Sequence, residues 1–288
     1  MKVGCVNFGP LGHTLIQQLA LKHDVLVFDA TRNARAQNDI ELSALVRASD
    51  VIVVCGKPLE ENLHDVVFEH GDFASNLEPG KIVVDLTAGD PESTRVVAVA
   101  LSERGVQLVD APVHAEIWAD LAAHAAIFCG GDAATLAKVK PLLEVITPRV
   151  VLAGASGNGH ATYLVVQAIA ICNRVVTCEC AGLGARQGLT MRDMDTVLNN
   201  SSGRSSATER LLPSFYLAQP TADVPLGRVV QDLQLFCKAA ASFGAPVLIG
   251  NLARSVVEMA YNELSDDATL DDVARFYESV GDFRFADA

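Results

Sequence analysis

The sequence predicts an α/β chain in which a doubly wound parallel sheet is followed by an all-α domain. Three observations carry that prediction. Short apolar strands alternate with helical stretches through residue 153, which is the pattern of a parallel sheet covered on both faces. A glycine-containing turn separates the first strand from the first helix. After Gly188 the strands stop and only helical periodicity remains. With 288 residues, half of them hydrophobic, the chain is long enough for two domains that each bury a core. The expected division is 1–155 and 156–288, the second domain opening on a long interdomain helix.

In order, residues 2–7 read as a strand and 14–21 as a helix, and 25–28 as a second strand ending in Asp29. Helix 40–48, strand 50–55, helix 61–69, strand 81–85, helix 91–104 and strand 107–110 continue the alternation. Strands 126–129 and 150–153 flank a helix over 134–145. The glycines at 154, 157 and 159 then open the long helix, on which His160, Tyr163, Gln167 and Arg174 form one polar stripe on an otherwise apolar surface. Such a stripe faces either a cleft or solvent, and spacing alone leaves both open. Helices over 191–198, 207–212, 226–243, 246–263 and 270–279 complete the chain, with a polar loop at 199–206.

A net charge of −13 excludes a nucleic-acid surface or an anionic membrane as the main partner, because both need clustered Lys and Arg. The seven cysteines are an odd number set mostly in apolar runs, and read as small core residues of a reducing compartment. Cys178 and Cys180 lack a second pair, so no metal site is expected. No apolar run reaches the ~18 residues of a membrane span, and a cytoplasmic location is expected.

The first strand, turn, helix and second strand make a βαβ unit with an acid at its tip, the arrangement that binds a dinucleotide. The glycine turn lets backbone approach the pyrophosphate, the helix N-terminus stabilises its charge, and the acid accepts hydrogen bonds from the adenosine ribose. Asn7, Phe8, Gly9, Pro10, Leu11, Gly12 and Asp29 are therefore candidate contacts to NAD or NADP. Asn7 stands where the first glycine of the fingerprint belongs, and asparagine tolerates left-handed backbone better than most residues. Asp29 favours NAD, while Arg32 would accept the 2′-phosphate of NADP; NAD is the preferred expectation. Loops at the carboxyl ends of later strands add Lys57, Pro58, Thr87 and His114. Lys57 also reads as an exposed lysine, and Thr87 as a helix cap.

Asp110-Ala111-Pro112-Val113, the glycine turn and Gly154-x-x-Gly157-x-Gly159, in this order and with Ser201-Ser202-Gly203-Arg204 and Asp232-Leu233 behind them, resemble the β-hydroxyacid dehydrogenases over essentially the whole chain. That family includes 3-hydroxyisobutyrate dehydrogenase and is related to 6-phosphogluconate dehydrogenase and the imine reductases. The resemblance implies a Rossmann-type nucleotide domain, a nicotinamide cofactor, a small-molecule substrate and a homodimer or larger homo-oligomer. It also implies that the long helix carries the proton-transfer residue. The chain departs from the family there: Tyr163 stands in place of lysine, and Gln167 in place of an asparagine. Gln231 replaces a second lysine and is placed with the cofactor-facing residues. The Ser-Gly-Gly that holds a substrate carboxylate is His114-Ala115-Glu116.

Imine reductases carry tyrosine or aspartate at this helix position, so the expectation is an NAD(P)H-dependent reductase of a C=N or C=O bond, with Tyr163 as proton donor and Gln167 and His114 beside it. Glu116 reads as a partner for an amine or as a surface acid. Two alternatives stand: a cofactor-binding sensor or partner subunit without catalysis, and a 3-hydroxyacid dehydrogenase with an atypical base.

Overall fold

A computed structural model describes residues 1–9, 12–31, 40–56, 61–70, 72–217 and 219–285. The chain divides into two compact units, Met1–Tyr163 and Leu164–Ala288. In the first, β1 (Val3–Asn7), β2 (Val25–Asp29), β3 (Val51–Gly56), β4 (Ile82–Asp85) and β5 (Gln107–Asp110) pair in parallel in the order β2-β1-β3-β4-β5.

Strand side chains alternate between faces, and both faces are covered, so these strands are apolar at nearly every position. On one face Val3, Cys5, Val51, Val53 and Cys55 pack against Leu15 and Leu19 of α1 (Gly12–Ala20) and Leu136, Val139 and Leu142 of α5 (Ala133–Leu143). On the other, Val6, Ile52, Val54, Val83 and Leu108 meet α2 (Leu42–Ala48) through Leu45 and Val46, and α3 (Pro91–Ser102) through Val97 and Leu101. Each such Val or Leu contributes about 1.5–3 kcal/mol of burial. Asp90 caps α3 by accepting the Glu92 N–H at 3.0 Å, with Pro91 in the first turn, and Asp132 caps α5 by accepting the Thr135 N–H at 3.0 Å.

The sheet is not parallel throughout. β6 (Val113–His114) and β7 (Ala126–Gly130) form an antiparallel ribbon, β7 also runs antiparallel to β5, and β8 (Val150–Gly154) returns parallel to β7. The link from β5 to β7 holds only that ribbon, a short 3₁₀ turn and α4 (Leu121–His124), so the chain reverses instead of crossing over. The helix expected over 61–69 is confined to Leu63–Glu69, and Asp65–Glu69 takes the wide π form. Asn62 starts it, its Oδ1 accepting the N–H groups of His64 (2.8 Å) and Asp65 (3.3 Å).

α6 (Asn158–Arg186) runs 29 residues, and the second unit adds α7 (Met191–Asn199), α8 (Ser206–Leu217), α9 (Leu226–Ser242), α10 (Leu248–Glu263) and α11 (Val273–Gly281). α8 passes through Pro213, where sequence periodicity stops at 212, because Leu211 and Leu212 are buried and Phe215 stacks on Phe285 at 4.4 Å. By length and composition α6 is apolar enough to cross a membrane, which corrects the expectation of no such stretch; the expectation counted unbroken apolar runs, whereas a helix carries scattered polar residues. The core helix of a soluble protein meets the same criterion, and α6 buries His160 and Arg174.

All seven cysteines are free, and burial pushes the Cys129 and Cys178 thiols up to about 12, which suits unreactive core positions. In the second unit the buried Arg174 guanidinium donates to Asp271 Oδ1 and to the Thr221 hydroxyl, while Asp271 Oδ2 accepts the backbone N–H groups of Thr221 (2.6 Å) and Ala222 (3.1 Å). Asp271→Ala leaves that cation without its counter-charge. The expected loss is about 3 kcal/mol of stability, read as a lower urea midpoint; an unchanged midpoint would show that the pair adds nothing.

Candidate active site

The turn after β1 is built around the Asn7 side chain. Asn7 is fully buried; its Oδ1 accepts the Gly9 N–H at 3.1 Å and its Nδ2 donates to Asp29 Oδ1 at 3.2 Å. A Cβ at Gly12 would lie 2.1 Å from Asn7 Oδ1, and one at Gly56 2.3 Å from it. Asn7 is an extended strand residue, and Asp282 is the only non-glycine residue with positive φ among the described residues. The expectation that asparagine serves here through left-handed backbone is thus corrected: its amide side chain joins the turn, the end of β2 and the end of β3. The glycines at 12 and 56 are required by that amide, and they set the turn at the N-terminus of α1, where a pyrophosphate binds in a βαβ unit. The site fits a dinucleotide on these grounds. Phe8 is half-buried beside the turn, its ring 5.7 Å from that of Phe28. Pro10, Leu11, Arg32, Lys57 and Pro58 lie outside the described residues.

Asp29 is buried at the end of β2. Burial acts to raise its pKa, but hydrogen bonds from the Thr31 hydroxyl and backbone and from His13 outweigh it and hold the carboxyl below its ordinary value. Thr87, at the end of β4, is buried and is not a helix cap, since Asp90 fills that place. Its N–H and hydroxyl donate to Asp85 Oδ1 at 2.9 and 2.7 Å.

The start of α6 is fixed by Asp110 at the end of β5. Its buried carboxylate accepts the Gly157 N–H at 2.8 Å and the His160 N–H at 2.9 Å. The His160 ring is fully buried: Nε2 donates to the Thr87 carbonyl at 2.9 Å and Nδ1 lies 2.7 Å from Thr94 Oγ1. A Cβ at Gly89 would come within 2.9 Å of that ring. His160 thus joins the loop after β4, α3 and α6, and does not stand as a cleft residue. One turn later Tyr163 is 3% exposed, and its ring meets the half-buried His114 of β6 edge-on, with centroids 6.3 Å apart at 72°. His114 also stands 6.3 Å from the Phe128 ring, and Glu116 is half-buried.

In the second unit Gln167 donates to Asp232 Oδ2 at 2.8 Å, and Arg228 Nε donates to Asp232 Oδ1 at 3.2 Å. Asp232 is fully buried among Val229, Val230 and Leu233 of α9, and Gln231 beside it is half-buried. Sequence reading named neither Asp232 nor His13 as a site residue. The signal for Asp232 is an acid within an apolar helical pattern; for His13 it is a titratable residue directly after the last turn glycine. His64, Asp65 and Glu69 bring ligand atoms within 4.8 Å of one another on the turn at 63–69, an arrangement common among surface acids without an ion.

Comparison with known proteins agrees in both halves. Residues 2–154 match the family model for the NAD binding domain of 6-phosphogluconate dehydrogenase, and residues 157–277 the NAD-binding domain of NADP-dependent 3-hydroxyisobutyrate dehydrogenase. The 2-(hydroxymethyl)glutarate dehydrogenase of Eubacterium barkeri is 29% identical over 242 residues, covering 81% of this chain and 79% of that one. The fold is shared with the 3-hydroxyisobutyrate dehydrogenase of Mycobacterium tuberculosis, solved with L-serine, at a TM-score of 0.82 and 21% identity over 96% of this chain and 98% of that one. It is shared with an imine reductase of Bacillus cereus at a TM-score of 0.55 and 15% identity over 96% and 99%. With its turn built for a dinucleotide and both halves matched, the chain belongs to the β-hydroxyacid dehydrogenase family and is an NAD(P)-dependent oxidoreductase.

Proposed function

We propose that this protein reduces a C=N or C=O bond of a small molecule, with Tyr163 donating the proton. When bound, the nicotinamide supplies the hydride. The observation that carries this reading is the first two turns of α6, which hold no lysine. Two side chains there bear transferable protons on aromatic groups, His160 and Tyr163. His160 is fully buried in bonds to Thr87 and Thr94, which leaves Tyr163, set against His114. A phenol, with an ordinary pKa near ~10, is protonated at neutral pH and so serves as an acid more readily than as a base. Asn7, Gly9 and Gly12 would hold the pyrophosphate, with the buried Thr87 at the adjoining strand end. Gln167, steadied by Asp232, offers an amide one turn after Tyr163.

A second reading keeps the direction printed in the relatives' names, oxidation of a hydroxy acid, with another group as base. The two separate in one assay. Against a panel of imines and carbonyls with NADH or NADPH, Tyr163→Phe is expected to lower turnover by about 10²-fold or more while cofactor affinity holds. Steady oxidation of 3-hydroxyisobutyrate or glycerate, untouched by that substitution, would establish the second reading instead. Gly12→Ala forces a methyl group against Asn7, and the expected result is at least about a tenfold loss of NADH binding in a fluorescence titration; unchanged binding would remove the turn from the cofactor site.

We also propose that the chain works as a homodimer. Val165, Ile169, Val176 and Leu183 leave an exposed apolar row along α6, and Val165 and Ile169 line a groove of about 570 Å³ with Phe236, Leu248 and Ile249. A second copy of the same face is the occupant the repeat suits, since two-fold contacts are self-complementary. Ile169→Glu is expected to convert dimer to monomer by light scattering, and a wild-type monomer at micromolar concentration would sink this reading.

A further inference from the structure

The acid at the tip of β2 is expected to read the adenosine ribose, yet protein donors already hold it. The Asp29 side chain is 1% exposed. Its Oδ1 accepts from Asn7 Nδ2 at 3.2 Å, from the Thr31 N–H at 3.0 Å and from the Thr31 hydroxyl at 2.6 Å. Its Oδ2 accepts from His13 Nε2 at 2.6 Å. Among the described residues, three donors meet Oδ1 and the His13 ring meets Oδ2. His13 sits in the first turn of α1, immediately after Gly12, with its side chain 42% exposed; Thr31 is exposed as well. Among the described residues, what the end of β2 presents to an incoming adenosine is therefore an imidazole and a threonine, with the carboxylate behind them.

In a βαβ unit with an acid at this tip, the carboxylate selects NAD twice over, by accepting from the ribose hydroxyls and by repelling a 2′-phosphate. The first effect needs the carboxylate to reach the ribose, and the second falls with distance and with the charge that other donors take up. An imidazole interposed at 2.6 Å blocks the first. The second is weakened because the Asp29 charge is shared with the His13 and Thr31 donors and lies behind them.

We propose that His13 is the cofactor-selecting residue of this chain: by covering Asp29 it removes the discrimination against a 2′-phosphate, so that NADPH binds at least as tightly as NADH. The proposal rests on the turn being the cofactor site. The test is fluorescence titration of the purified full-length protein with NADH and with NADPH, each variant checked for folding by its melting temperature. His13→Ala uncovers the carboxylate, and the expected result is a rise of about tenfold in the ratio of the NADPH Kd to the NADH Kd. His13→Ala/Asp29→Asn removes the uncovered charge and is expected to return the ratio to within about threefold of wild type. An unmoved ratio in His13→Ala, or a double variant that does not recover, overturns the role of His13 while leaving the cofactor site intact. Failure of wild type to bind either nucleotide overturns the cofactor reading itself, and this proposal with it.

Discussion

The Asp110 carboxylate accepts the Gly157 N–H through one oxygen and the His160 N–H through the other, so the last residue of β5 caps the first turn of α6. The first N–H groups of a helix have no partner within it, and a buried carboxylate that answers two of them sets both the position and the rotation of the helix. The approach is close enough to dictate the glycines. A Cβ at Gly159 would fall 2.4 Å from the carbonyl oxygens of Asp110 and Phe128, one at Gly130 would meet Asp110 Oδ1 at 2.7 Å, and Gly157 has φ +85°. Two segments far apart in sequence, Asp110-Ala-Pro-Val and Gly157-x-Gly159, are thus the two sides of one contact.

The His160 ring extends that contact to the loop after β4 and to α3, through Thr87 and Thr94. Tyr163 follows three residues later, so its place beside His114 is inherited in part from anchors at the ends of β5 and β4 and on α3. An α-helix turns about 100° per residue, and a slip of one residue at Asp110 would carry the phenol off the His114 side. The side chain proposed to move a proton stands on a helix anchored by groups that take no part in moving it, so its identity can change without moving the helix.

The parallel strands were legible because period-2 burial on two covered faces leaves unbroken runs such as Val51–Cys55, and the helices because α1, α3, α5 and α9 each carry an apolar stripe. The reversal at β6 and β7 was not legible, since strand direction is decided by the length and course of the connection, which hydropathy does not record. Asn7 was located correctly as a departure from the glycine fingerprint, but its work is done by an amide whose partners, Gly9 and Asp29, lie on separate elements. Asp29 was legible as an acid at a strand tip, while its cover was not: His13 and Asp29 are 16 residues apart and meet only when α1 lies along the sheet. His160 read as part of a polar stripe, and only the packing shows it turned inward to Thr87 and Thr94.

On the proposed chemistry, the substitutions in the first unit agree in sign. By the resemblance, the place of a lysine on α6 is taken by Tyr163, which carries no positive charge, and that of a Ser-Gly-Gly by His114-Ala115-Glu116, which adds an acid. An anionic substrate would lose its counter-charge and its hydrogen-bond donors together. A neutral carbonyl or imine requires neither. A tyrosine donor completes the same logic for a neutral carbonyl or an unprotonated imine, whose oxygen or nitrogen takes a proton as hydride adds to carbon, whereas an imine already protonated needs the hydride alone. Measured against the family the chain resembles, both departures thus lower the positive charge at the proposed site.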